Sequence, residues 1–547
     1  METVDDLFGR LEQLNEIGAA LSQQKNLDSL LENILVAAKS ITRADGGTLY
    51  LVELERQLKF EIMRTDSLKI AMGGSTGTPV PFYPIQLYKE GRPNHQMVAA
   101  YAALTGKTVN IADAYTERGF DFSGTRQFDQ KTGYRSKSFL TVPMKNHEGT
   151  IIGVLQLINR EDPVSEQIVA FSEADQRLAE SLASQAAIAL SNRQLIDQLE
   201  KLFESFIGLI NSAIDDKSPY TGGHCQRVPM LTMMLAEAVS ESRAGSFAGF
   251  SMTDSDRHEL KIAGLLHDCG KITTPVHVVD KATKLEAIFD RIHVIDTRFE
   301  VLKRDAEIAA LKKKVALAAD RKLSEIDVRE RNYSIDQELR EVLRHISEDR
   351  DILRRYNTGG ESMSAEAQER VRQIGTHYRW TDVTGSTANV LTEDEIRNLT
   401  IPRGTLTAEE REIINHHIVV TIKMLEALPW PKHMRNVPEF AGGHHERMDG
   451  KGYPRGLTRD QMSVQARVIG IADIFEALTA KDRPYKRGKT LSESLAILGS
   501  FKESGHIDPD LFDIFVRQKV YLRYAERFLD PHQIDAVDET KIPGYSP

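Results

Sequence analysis

Two places in this chain set metal-binding residue types side by side, and they limit what it can fold into. His267-Asp268 closes an apolar run at helical spacing (Leu260, Ile262, Ala263, Leu265, Leu266) and leads into Gly270 and Lys271. His444-His445-Glu446 stands just ahead of Asp449-Gly450-Lys451-Gly452-Tyr453-Pro454. A helix ending at His267 aims the His-Asp pair into a core. Neighbouring ligands suit a multinuclear centre, because each pair can serve two ions held close together.

Lys271 follows His267 by one helical turn, which on a helix puts both on one side. An ammonium there suits a phosphate oxygen or a leaving group. Further candidate ligands are His224, His417, His444, His445 and Asp473. Imidazole nitrogen with carboxylate oxygen favours iron, manganese or another first-row ion over magnesium or calcium. Two such ions activate water at neutral pH for in-line attack on a phosphodiester. His95, His147, His258, His293 and His345 lack such company and read as surface or hydrogen-bonded core residues.

The 547 residues suggest two to four domains, and 41% hydrophobic content is ample for sizeable cores. A formal net charge of −10 argues against a nonspecific binder of nucleic-acid polymers. The only cysteines, Cys225 and Cys269, point to a reducing compartment. Cys269 reads as a small buried side chain. No apolar run is long enough for a membrane span, and the acidic start Met1–Asp6 lacks a secretory pattern, so a cytoplasmic location is expected.

The first third mixes helical and strand periods. Apolar positions at helical spacing cover residues 5–40. Strand-like runs follow at Gly47–Val52, Leu58–Met63, Thr108–Ile111, Ser138–Met144 and Ile151–Ile158, the last two joined by a turn at 146–149. From 172 to 214 the pattern is helical, started by Ser172-Glu173-Ala174-Asp175. This helix links two domains, and pairing with a second copy in a homodimer is the preferred reading over packing on its own domain. Residues 205–530 read as a mainly helical domain. A charged stretch within it, 286–402, has the apolar spacing of a protruding helical hairpin, with looser connections at Gly359-Gly360 and Gly385-Ser386. From about Asp530 the chain reads as a polar tail.

The second domain resembles the HD-GYP family of metal phosphohydrolases. The motifs are Asp215-Asp216-Lys217-Ser218-Pro219-Tyr220-Thr221-Gly222-Gly223-His224, the His-Asp, His-His-Glu and Gly-Tyr-Pro runs, Ile471-Ala472-Asp473, and Asp482-Arg483-Pro484-Tyr485-Lys486. The resemblance implies an all-α HD-type fold that hydrolyses cyclic di-GMP with two or three divalent ions. It implies His224, His267, Asp268, His417, His444, His445 and Asp473 as ligands, Asp268 and Lys271 in catalysis, and Lys271, Arg483, Tyr453 and Tyr485 around the substrate. The chain departs from the family at 286–402. Lys281-Ala282-Thr283-Lys284-Leu285 opens a segment that resumes only at Arg403-Gly404-Thr405-Leu406-Thr407. Asp215 stands nearest to the position where some members carry a third-metal glutamate.

Residues 15–195 resemble a GAF domain, an α+β small-molecule sensor, which implies a small-molecule ligand there. Phe128-Asp129 partly matches a cyclic-nucleotide motif, but a turn with a core phenylalanine explains it as well. The absence of cysteine excludes thiol-linked bilin. Two rival readings stay open. One is a silent cyclic dinucleotide receptor that recruits a protein partner through the Gly-Tyr-Pro loop or the insertion. The other is a hydrolase of another cyclic dinucleotide such as cyclic GMP-AMP.

Overall fold

The computed structural model describes residues 4–546 except Lys25, Leu54, Glu55, 218–222, Ala244, Glu361 and 482–487. The chain divides into two compact units, 1–204 and 205–547.

The first unit is built on an antiparallel sheet. Its main path runs Ile70–Gly73, Gln57–Thr65, Ala44–Glu53, Ile151–Glu161, Phe139–Lys145, Val109–Ile111. Every strand expected from the sequence lies in it, and the hairpin turns where Gly149 adopts φ +81°. The short edge strand Ile70–Gly73 and the helix Val98–Thr105 add to that set. One face packs against the helices Val4–Gln23, Leu27–Thr42 and the first part of Glu173–Lys217, through Leu31, Ile34, Leu35, Leu155, Leu182 and Ala186. Asp129 is spent internally, accepting from Ser136 N, Ser136 Oγ and Tyr115 Oη, while Phe128 is half-buried in the helix Ser123–Thr132 and is not the core phenylalanine of a turn that the sequence suggested.

The long helix spans Glu173–Lys217. Ser172 and Asp175 cap its start reciprocally. Asp175 is wholly buried and pairs with Arg10 and, at 2.6 Å, with Arg160, so a charge triad anchors the helix to its own unit. Beyond Leu190 its character changes. Leu195, Leu199, Leu202, Phe206 and Leu209 are all exposed, Leu209 by 65%.

The second unit is mainly helical, and a two-stranded hairpin, Arg379–Thr381 with Thr387–Asn389, adds to the expectation. Gly385, read as a loose connection, is its turn residue at φ +83°. The insertion begins with two long helices, Ile292–Ala319 and Glu325–Asn357, which form the expected helical hairpin. Its root has a core of its own, with Ile295, Phe299, Ile346, Leu353, Val371, Ile374 and Leu399. The residues after 530 are not a free tail. Gln533 donates to the carbonyls of Thr479 and Lys489, and Ile542 and Tyr545 are buried. Scattered apolar residues there give too weak a period to read from sequence.

Candidate metal centre

Five helical segments bring the candidate ligands together. Helix Asp254–Leu266 starts with a Thr253/Asp256 capping box and ends at His267. The chain then tightens into a 3-10 turn, Cys269–Thr273. Lys271 therefore reaches Asp268 from that turn and not from a continued helix as expected; its Nζ lies 2.5 Å from Asp268 Oδ2. Gly270 makes the turn fit. A Cβ there would stand 2.0 Å from the His417 carbonyl oxygen, and the Gly270 N–H donates to Thr421 Oγ1 at 2.9 Å. The other ligands come from helices His224–Glu241, Ala408–Glu426 and Val464–Thr479, and from the turn after Val437–Gly442.

Asp268 is central. Its Oδ2 lies 3.2 Å from His224 Nε2 and 3.3 Å from His267 Nε2. Its Oδ1 lies 3.1 Å from His417 Nε2 and 3.9 Å from His444 Nε2. Asp473 Oδ1 stands 3.3 Å from His224 Nε2. Two donor sets result: His224, His267 and Asp268, and Asp268, His417, His444 and His445, each with its atoms within 4.8 Å of one another. His293 is exposed on an insertion helix, away from this cluster.

The hydrogen bonds explain how these imidazoles are oriented. Nδ1 of His267 donates to the Gly264 carbonyl, that of His444 to Ala441, and that of His417 to Ile414. Each ring is thereby fixed with its Nε2 lone pair facing inward, the tautomer a metal requires. His224 is held by a carboxylate instead: Nδ1 meets Glu476 Oε2 at 2.5 Å, while Arg227 Nε donates to Glu476 Oε1 at 2.7 Å. Neither partner role was legible as chemistry in the sequence. The available signal was the Asp473-x-x-Glu476 spacing, which places both carboxylates on one helix face.

Four buried atoms in this cluster have no hydrogen-bond partner: Nε2 of His267, His417 and His444, and Oδ1 of Asp268. Unpaired buried polar atoms are costly, and four converging on one space fit a site shaped for cations. Electrostatics agree. Burial alone would raise the Asp268 carboxyl, but the Lys271 ammonium and His267 hold it far below the usual carboxylate range. Burial likewise opposes ionisation of Asp473, and His224 overrides it. Burial and mutual repulsion push His444 well down, and burial takes His445 down to about 4, so both remain neutral nitrogen donors. Burial disfavours the charged form of His224 too, yet Glu476 and the aspartates raise it well above its ordinary value. A cation would take the place of that proton.

Tyr453 stacks on His445 at 4.9 Å and 23°, and burial with the nearby Asp473 and Asp268 raises its phenol. Glu446 does not orient His445. It is buried and accepts from the N–H groups of Arg455 at 2.7 Å and Leu457 at 2.9 Å, holding the loop after Tyr453-Pro454. Cys269 is buried and burial lifts its thiol to about 11, as suits a small packing residue. Asp215 is half-buried, its Oδ1 without a hydrogen-bond partner. Arg483 and Tyr485 lie outside the described residues.

Comparison with known proteins identifies the two kinds of domain. GAF domain models match residues 26–190, and HD domain models match 221–355 and 392–511. The 3'3'-cGAMP-specific phosphodiesterase 1 of Vibrio cholerae is 46% identical over 15% of this chain and 19% of its own. The cyclic di-GMP phosphodiesterase of Thermotoga maritima is 35% identical over 21% and 30%. The cyclic di-GMP phosphodiesterase response regulator RpfG of Xanthomonas campestris is 28% identical over 36% and 55%. The chain thus spans at most about half the length of these relatives. It carries a GAF domain match followed by HD domain matches that enclose the His-Asp, His-His-Glu and Gly-Tyr-Pro runs.

Proposed function

We propose that this chain is a metal-dependent phosphodiesterase of cyclic di-GMP, regulated through its GAF domain. The observation that carries the reading is the convergence of four partnerless buried donor atoms on one space, with the half-buried Lys271 ammonium beside them. His224, His267, Asp268 and Asp473 would hold one ion, and Asp268, His417, His444 and His445 another, with iron or manganese favoured by the donors. Such ions supply Lewis-acid charge to a phosphodiester and lower the pKa of water. Lys271, kept charged by Asp268, is placed to take a non-bridging phosphate oxygen, and Tyr453 to line the nucleotide side. Arg483 and Tyr485 complete the substrate contacts in this proposal.

The test is anaerobic purification, metal analysis and product analysis with several cyclic dinucleotides. Linear dinucleotide or mononucleotide from cyclic di-GMP is the expected result. Tight binding without turnover under every metal would leave a receptor instead. The cGAMP-specific relative supports a second reading, cyclic GMP-AMP hydrolysis, which a higher kcat/KM for that substrate would establish. The absence, among the described residues, of any helix long and apolar enough to cross a membrane agrees with a cytoplasmic location, which recovery in the membrane fraction would contradict.

The protein partner in this reading is a second copy. Ile188, Leu195, Leu199, Leu202, Phe206 and Leu209 are exposed at the spacings of a heptad seam, and exposed Asn192 falls in the same row. A single polar residue there fixes register. The uncovered apolar area is roughly 600 Å² per chain, close to the ~800 Å² a stable dimer buries on each side. Leu202→Glu with Leu209→Glu is expected to convert a dimer to a monomer by light scattering. A wild-type chain already monomeric at micromolar concentration would refute the pairing.

A further inference from the structure

The sequence flagged Lys281–Leu285 and Arg403–Thr407 as the two ends of an interrupted segment, and the structure joins them. Thr405 Oγ1 donates to the Lys281 carbonyl at 2.9 Å. The Lys284 ammonium is buried and donates to the carbonyls of Leu399 and Ile401 at 3.0 and 2.8 Å, at the end of the insertion's last helix.

Lys281 is the more consequential residue. Its side chain is 1% exposed. Its ammonium donates to Asn398 Oδ1 at 3.2 Å, within the insertion, and to Glu410 Oε1 and Oε2 at 2.9 and 2.8 Å. Glu410 also accepts from the Thr407 N–H at 2.8 Å and is the N3 residue of the capping box that starts helix Ala408–Glu426. That helix carries His417 two turns further on. A buried ammonium needs all its partners, so this joint holds the insertion and the start of the His417 helix in one arrangement.

We infer that Lys281 is a positioning residue for one half of the metal centre, and that the insertion takes part in setting the site through it. This rests on the metal reading above. The two donor sets differ in their dependence on helix Ala408–Glu426: one includes His417, while His224 and His267 come from other helices. Loosening the start of the His417 helix should therefore empty one position and spare the other, whereas general unfolding would empty both.

The test uses the full chain, with metal content and metal-binding isotherms as readouts beside turnover. Lys281→Met is expected to hold one ion fewer than wild type, with far-ultraviolet circular dichroism unchanged, and Lys281→Arg to restore the wild-type count. If Lys281→Met does not fold, Asn398→Ala removes only the insertion's side of the joint. Its expected effect is a roughly tenfold weaker isotherm for one of the two ions alone. Wild-type stoichiometry and affinity in these variants would overturn the inference and leave the metal reading standing. Loss of all ions from a folded variant would also overturn it. A wild-type chain that takes up no ion would defeat the metal reading and this one with it.

Discussion

Asp268→Ala is expected to remove turnover by about a thousandfold or more and to lower the content of both ions. The reason is geometric. The two oxygens of one carboxylate face different donor sets, Oδ2 toward His224 and His267, and Oδ1 toward His417 and His444. No other candidate ligand belongs to both. Losing several kcal/mol of charge stabilisation at the reacting group corresponds to about three powers of ten in rate. The same change strips Lys271 of its ion-pair partner, so phosphate positioning fails together with metal loading. Steady-state kinetics and metal analysis on one preparation check this. Full metal content and wild-type kcat in Asp268→Ala would show that the cluster is not the reaction centre.

The second large effect is expected from the smallest substitution. Gly270→Ala adds one methyl where a Cβ would meet the His417 carbonyl oxygen at 2.0 Å and the Thr421 nitrogen at 2.6 Å. These are backbone atoms of a packed helix and cannot swing aside as a side chain tip would. The helix must shift, which costs about 3 kcal/mol and moves His417 off Asp268. The expected outcome is a melting midpoint lower by several degrees, with turnover reduced further than the residual folded fraction explains. An unchanged melting curve with unchanged turnover would refute the close-approach argument.

The strands and the linking helix were legible because their apolar periods are strong, as at Leu155 and Leu157 on one side of the sheet. The cluster of histidines and aspartates was legible because these residue types announce their chemistry. What holds the ligands was not. His267, His417 and His444 are oriented by main-chain carbonyls, which every residue possesses, so no letter in the sequence marks Gly264, Ile414 or Ala441. Glu476 and Lys281 act through distant partners, and charged residues on helices read as solvated until their burial is known. The Lys271 turn was misjudged for a related reason. Helical spacing cannot reveal where a helix tightens, and here that depends on contact with a helix about 150 residues later.

The end of the long helix Glu173–Lys217 has a mechanical corollary. Lys217 ends on the Lys271 and Ile272 carbonyls, the former at 3.2 Å. Two main-chain carbonyls of the Lys271 turn thus share one ammonium at the helix end, so a retreat of Lys217 by about 1 Å would free the turn that carries the phosphate-binding lysine of this proposal.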